Sequence, residues 1–181
     1  MPRTNRGRVP QGVYHVWRRT CGPIQMFRDD FDRTMFCRRV ERSISSHAWT
    51  LAAFVLMPTH FHFIVEVDDD VLPRAMHSVF GPYAQEFNRR WGRSGHLRAD
   101  RYRLRLVADD ADLQRTTRYV ARNPVKKGYC VAPQDWHWSS YAGSAGYADP
   151  FPFVDDSLIL GSLHEDRTRA QQLLRVIVEP A

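Results

Sequence analysis

The sequence predicts an α+β domain of the split β-α-β kind, a single antiparallel sheet with helices on one face. Three observations predict it. The chain has 181 residues, 43% of them apolar and 25% charged, which suits one soluble domain with an ordinary core and leaves little room for a second. Apolar residues switch between a period of two and a period near 3.6 in the order β-α-β-β-α-β-α. Proline and acidic residues stand where those switches occur.

Each element follows from its own residues. Gly12–Arg19 alternates Val13, His15 and Trp17 against Tyr14, Val16 and Arg18, with bulk on both faces, and reads as a buried strand. Residues 21–23 read as a turn. Asp29 or Asp30 caps a helix to about Ser46, with Phe31, Met35, Phe36, Val40 and Ile44 at helical spacing and Arg33, Arg38, Arg39 and Arg42 on other faces. Residues 49–67 are too long for one strand, and Pro58 cannot donate to a central ladder. They read as a hairpin, Trp49–Met57 and His60–Val67, turning at Pro58-Thr59. A helix over Leu72–Arg90 places Val79, Tyr83 and Phe87 four apart, with a bend or interruption expected at Gly81-Pro82. Residues 101–107 alternate Arg101, Arg103 and Arg105 against Tyr102, Leu104 and Leu106, a half-exposed strand with a basic face. Asp109 or Asp110 caps a helix over residues 111–122. Trp136, Trp138 and Tyr141 read as a strap packed on the body, and residues 163–178 as a short helix. In this arrangement one face of the sheet is left free to bind a partner.

The charge pattern narrows the partner. Lys and Arg number 26 and Asp and Glu 20, for a net +6. Residues 149–181 carry a net −3, so residues 1–148 carry +9. Only Lys126 and Lys127 are lysines. Arginine's planar fork matches phosphate oxygens, and an arginine-rich basic body suits a phosphate-bearing polymer. A GC-rich genome would also favour arginine, but does not explain the clustering: residues 89–127 hold twelve cations against four acids. The longest unbroken apolar run, residues 51–57, is too short to span a bilayer. The basic N-terminal segment has no apolar stretch behind it, and the three cysteines form no CxxC pair. A cytoplasmic protein without membrane contact, disulfide framework or zinc scaffold is expected.

Two motifs carry chemistry. The first is MPTHFHFIVEV at residues 57–67. Strand alternation puts His60, His62, Ile64 and Glu66 on one face, and Phe61, Phe63, Val65 and Val67 on the core face. Two imidazoles roughly 7 Å apart along one face can close on one divalent ion, and two hydrogen-bonded surface histidines would show the same pattern. Glu66 is expected to hold a histidine or stay peripheral. The second motif is TRYVARNP at residues 117–124. Tyr119 and Asn123 stand one helical turn apart on one face, opposite a core stripe of Leu113, Thr117 and Val120. Amid the basic segment Tyr119 reads either as a nucleophile toward phosphorus or as a surface tyrosine lying among arginines, and Asn123 offers a carbonyl oxygen to a metal.

The HFH motif after Met57-Pro58, the loop NRRWGRSGHL at 88–97, RYVARNPVKKG at 118–128 and WHWSSY at 136–141 together resemble the single-tyrosine HUH transposases, and among them the bacterial REP-associated tyrosine transposases. The resemblance spans residues 12–146. It implies a ferredoxin-like fold and a metal-dependent endonuclease and strand transferase acting on single-stranded DNA with hairpins or palindromic repeats. Carried over by position, Tyr119 is the nucleophile that forms a 5′-phosphotyrosine link, and His60, His62 and Asn123 hold Mg²⁺ or Mn²⁺. Thr59 stands where the family commonly has asparagine. Arg89, Arg90, Arg93, Arg101, Arg103, Arg105, Arg118 and Arg122 are candidate DNA contacts. Residues 1–148 are expected to form the transposase-like domain, as a monomer or homodimer, and residues 149–181 a C-terminal extension without an assigned role. Two other readings stay open: a silent relative that holds hairpin DNA or RNA and never cuts, and a metal-dependent phosphodiesterase that uses water.

Overall fold

The computed structural model describes residues 9–20, 25–68, 70–94, 97 and 101–179. The turn expected at residues 21–23 falls outside them. Four strands, β1 (Gly12–Arg19), β2 (Trp49–Met57), β3 (His60–Val67) and β4 (Arg103–Leu106), form one sheet in the order β2-β3-β1-β4, with every neighbouring pair antiparallel. Helix α1 (Asp30–Ser46) connects β1 to β2, and α2 (Leu72–Arg90) connects β3 to β4. This is the predicted α+β arrangement.

The local reasons are those in the sequence. The Asp29 carboxylate accepts from the Asp32 N–H at 3.0 Å and starts α1. The Pro58-Thr59 turn is held by two earlier segments of the same chain: Met26 N–H donates to the Pro58 carbonyl at 2.7 Å, and the Thr20 N–H to that of Thr59 at 2.9 Å. A bulge at Ala52 shifts the register between Leu51 and Ala53. It lets Leu51 and Phe54 face one core while Ala53 and Val55 face the other.

Helices α1 and α2 bury the Phe61, Phe63 and Val65 side of the sheet. Phe36 lies at its centre, fully buried, with its ring beside those of Phe27, Phe61, Phe63, Phe80 and Tyr83. Phe36→Ala is expected to cost about 3–5 kcal/mol, because five rigid rings cannot collapse into the space it leaves. A urea titration measures this.

Four expectations are corrected. Helix α2 runs through Gly81-Pro82 without interruption. Both residues are only partly buried, and Val79, Phe80 and Tyr83 on either side anchor the helix to the core. Phe31 is 58% exposed and leaves the core stripe of α1, with the Arg90 guanidinium 4.6 Å from its ring centre. Arg33 is buried rather than solvated and pairs with Asp30 at 3.0 Å. Strand β4 has four residues rather than seven, the length over which it pairs with β1.

The second face of the sheet is only half free. Ala53, Val55, Met57 and Ile64 are covered by α3 (Asp110–Ala121), α5 (Tyr141–Ser144), α6 (Ser157–Gly161) and α7 (Arg167–Val178), through Leu113, Val120, Tyr141, Ile159, Leu174 and Val178. Strand β2 is apolar on both faces, so its second face needs this cover. The strap of residues 136–140 runs along the outer edge of β2. Leu56 N–H donates to the Trp138 carbonyl at 2.8 Å, and Ser140 N–H to that of Phe54 at 3.0 Å. Such cover blunts an edge that would otherwise pair with another chain. The acidic C-terminal segment joins the same packing: Asp155 N–H donates to the Leu51 carbonyl at 3.0 Å. What stays open on this face is its β1–β4 half.

Candidate active site

Strand register builds the open half. Trp17 lies opposite His62, Arg19 opposite His60, and His15 opposite Ile64. On the far side, Arg103 lies opposite Trp17 and Arg105 opposite His15. Paired residues share a face, so His15, Trp17, Arg19, His60, His62, Arg103 and Arg105 all stand on it.

Helix α3 brings the tyrosine over this surface. Asp109 caps it by accepting from Asp112 N–H at 2.7 Å, and Leu113, Thr117 and Val120 point inward. Arg105 ties β4 to it, pairing with Asp112 and donating to Thr116 Oγ1 at 2.8 Å. The helix stops at Ala121, and a short turn, α4 (Asn123–Lys126), follows. Pro124 has no N–H to donate, which ends the ladder there. The expected shared helical face of Tyr119 and Asn123 is therefore replaced by a helix and a turn, but both still reach one cleft. Tyr119 is 41% exposed and Asn123 is 4% exposed.

The cleft holds about 400 Å³ and is lined by Trp17, Arg18, Arg19, His60, His62, Arg101, Arg103, Tyr119, Asn123 and Lys127. His60 Nε2 lies 3.0 Å from Asn123 Oδ1, and Thr59 Oγ1 lies 3.1 Å from His60 Nδ1. The Tyr119 ring meets that of His62 edge to face at 5.2 Å between centres, and that of His15 at 5.9 Å. Lys126 Nζ sits 5.2 Å from the Tyr119 ring centre. On its other side Tyr119 borders a second basic cleft with Arg115, Arg118, Arg122 and Lys126. The phenol therefore forms a ridge between two cationic surfaces.

All three histidines resist protonation. Burial lowers His62 to about 3, with His15 and His60 adding to the shift. Burial, then Arg105, lowers His15 to about 4 against a smaller opposing pull from Asp112. His60 is also lowered, chiefly by burial, with its Asn123 hydrogen bond opposing and Arg19 and Lys127 assisting. An unfolded histidine titrates near 6.5, so below that pH the unfolded chain binds protons that the folded chain refuses. Stability is expected to fall as pH drops from 6.5 toward 5, a range mostly above carboxylate titration, and these groups contribute no change above 7. Melting curves in a chelator at pH 7.5, 6 and 5 check this; a flat midpoint would contradict it.

The neutral donors fit a divalent cation. Cis ligands of an octahedral ion at about 2.1 Å stand about 3.0 Å apart, which matches the spacing of His60 Nε2 and Asn123 Oδ1. Thr59's hydroxyl can donate to His60 Nδ1 or accept from it, so the ring can offer either tautomer. Among the described residues no group of three or more His, Cys, Asp or Glu side chains converges as a metal site, so any ion here would rest on two imidazoles and an amide oxygen.

The remaining candidates separate. Arg101 and Arg103 line the cleft, and Arg118 lines the second one. Arg105 is committed to α3, and Arg122 donates to the Val178 carbonyl at 2.9 Å. Arg89, Arg90 and Arg93 sit at or just past the end of α2 and do not line the cleft. Arg90 is engaged by Asp29 at 2.6 Å and Asp32 at 2.5 Å, while Arg89 is largely exposed. Glu66 is exposed and peripheral. Sequence reasoning missed His15, Arg19 and Lys127. The alternation of His15 with Trp17 was a signal for the first, but without the β1–β3 register it named no partner.

No family model matches the chain, and no curated protein matches it in sequence. In fold it is similar to a solved structure described as a REP-associated tyrosine transposase bound to a REP hairpin, with a TM-score of 0.67 and 16% identity over 86% of this chain and 98% of that one. A putative transposase from Deinococcus radiodurans R1 aligns at a TM-score of 0.45 and 16% identity, over 71% of this chain and 98% of that one. The fold shared with the first of these is the predicted one. Among the described residues no helix is long and apolar enough to cross a membrane.

Proposed function

We propose that this chain is a metal-dependent endonuclease and strand transferase that acts on single-stranded DNA carrying a hairpin, with Tyr119 as its nucleophile. The observation that carries the reading is the meeting of Tyr119 with His62, His60 and Asn123 in one cationic cleft. The solved neighbour of the same fold is described with a REP hairpin, which supports hairpin DNA as the substrate class.

The chain's residues divide the work. Arg101, Arg103 and Arg19 border the cleft where a phosphate backbone would run, and Arg118 borders the surface beyond the tyrosine. The Tyr119 oxygen attacks the scissile phosphorus, and the bond from phosphorus to the 3′-oxygen breaks. The phenol proton passes to solvent, and the departing oxygen takes one up as a 3′-hydroxyl. The DNA is left joined to Tyr119 through a 5′-phosphotyrosine. Attack on that ester by another 3′-hydroxyl restores a phosphodiester and frees the phenol, with no external energy. His60, His62 and Asn123 would hold Mg²⁺ or Mn²⁺, which supplies Lewis acidity at the phosphate oxygens.

The test is incubation of the full chain with a labelled hairpin-bearing strand and Mn²⁺. A protein–DNA adduct that survives denaturation and is lost on chelation is the expected result. Binding without adduct under any divalent metal would instead leave a silent hairpin-binding module.

A further inference from the structure

We propose that His15 is a positioning residue for His62: it accepts a hydrogen bond from His62 Nδ1–H and so keeps the His62 Nε2 lone pair turned to the cleft. The inference rests on the reading of His60, His62 and Asn123 as a cation site, and adds to it a residue outside that set.

The geometry is specific. His15 stands on β1 opposite Ile64, diagonal to His62 on the same face. Its Nε2 lies 3.0 Å from His62 Nδ1, and both side chains are buried. The ring centres are 5.1 Å apart and the planes differ by 26°, so the two nitrogens face each other close to the line joining the rings. Trp17 stacks on His15 at 4.8 Å and holds its plane. His62 lines the cleft and His15 does not.

A neutral imidazole carries one N–H, so one proton is shared across this contact. If His15 donates it, His62 must carry its own hydrogen on Nε2, which closes that nitrogen to any cation. If His62 donates it, Nε2 is bare and faces away from His15. Histidines that bind metals commonly donate their second N–H to an acceptor that fixes tautomer and ring angle. His15 supplies that acceptor for His62, as the Thr59 hydroxyl, able to donate or accept, can for His60 once its Nε2 is bare. Each imidazole of the pair is thus backed at Nδ1 by a neighbour on its own side of the cleft.

Two measurements on the full chain test this. Nitrogen-15 NMR of the metal-free protein should find His62 protonated at Nδ1 and bare at Nε2. Calorimetric titration with Mn²⁺ should show a 10- to 100-fold loss of affinity in His15→Phe, which keeps a ring but offers no acceptor. His15→Gln, whose amide oxygen can accept, should restore most of that loss, an effect that packing alone would not produce. A His62 Nε2–H tautomer in the unsubstituted protein overturns the inference even where His15→Phe fails to fold. Unchanged Mn²⁺ affinity in a folded His15→Phe also overturns it and leaves the site reading standing. Failure of the unsubstituted chain to bind Mn²⁺ overturns both.

Discussion

Replacing Tyr119 with phenylalanine is expected to abolish the covalent protein–DNA adduct, a loss of at least about a thousandfold in rate, while hairpin binding is nearly unchanged. The two effects separate because the substitution removes only the hydroxyl. The ring keeps its edge contacts with His62 and His15 and its place under Lys126. At 41% exposure the side chain contributes little to the core, so the fold should tolerate the change. A denaturing gel for the adduct and a native gel for binding, run on the same samples, check both. An adduct that persists in Tyr119→Phe would assign the nucleophile elsewhere. Cleavage that continues without an adduct would make the chain a water-using phosphodiesterase.

Loss of either imidazole is expected to have the next largest effect. His60→Ala and His62→Ala should each weaken Mn²⁺ binding by about a hundredfold or more and depress adduct formation to a similar degree, since two nitrogens and one neutral amide oxygen leave no surplus of ligands. The two variants should differ in stability. His62 is 5% exposed and sits among the rings of His15, His60 and Tyr119, so its removal leaves a cavity and a lower melting point. His60 is only partly buried, and its loss unpairs Asn123 at the cleft wall without opening the core. His60→Ala is therefore the cleaner probe. Calorimetry with Mn²⁺ alongside the adduct gel measures the effect, and adduct formation at the unsubstituted rate in His60→Ala would remove that residue from the site.

Much of this was legible in the residues, and the exceptions have physical causes. The hairpin boundaries followed from strict alternation broken by a residue that cannot donate a hydrogen bond, and α1 from an acidic cap before an amphipathic stretch. The run through Gly81-Pro82 was not legible, because local propensity argues for a break and only tertiary packing of Val79, Phe80 and Tyr83 overrides it. The covered half of the second sheet face was hinted at by β2, apolar on both sides, but nothing local says which later helices supply the cover. The basic residues divided the same way. Charge alone marked Arg90, Arg103 and Arg105 equally, and ion pairing then drew Arg90 to Asp29 and Asp32 and Arg105 to Asp112 while Arg103 stayed in the cleft.

The amino-acid sequence by itself determined the α+β class, the strand that aligns His60 with His62, and the helix that carries Tyr119, because alternation, caps and prolines act over a few neighbouring residues. Only the tertiary structure decided that Asn123 turns in to meet His60, that His15 backs His62, and that the tyrosine stands between two basic clefts. The first two contacts join residues 63 and 47 positions apart, and their partners are set by strand register and helix packing.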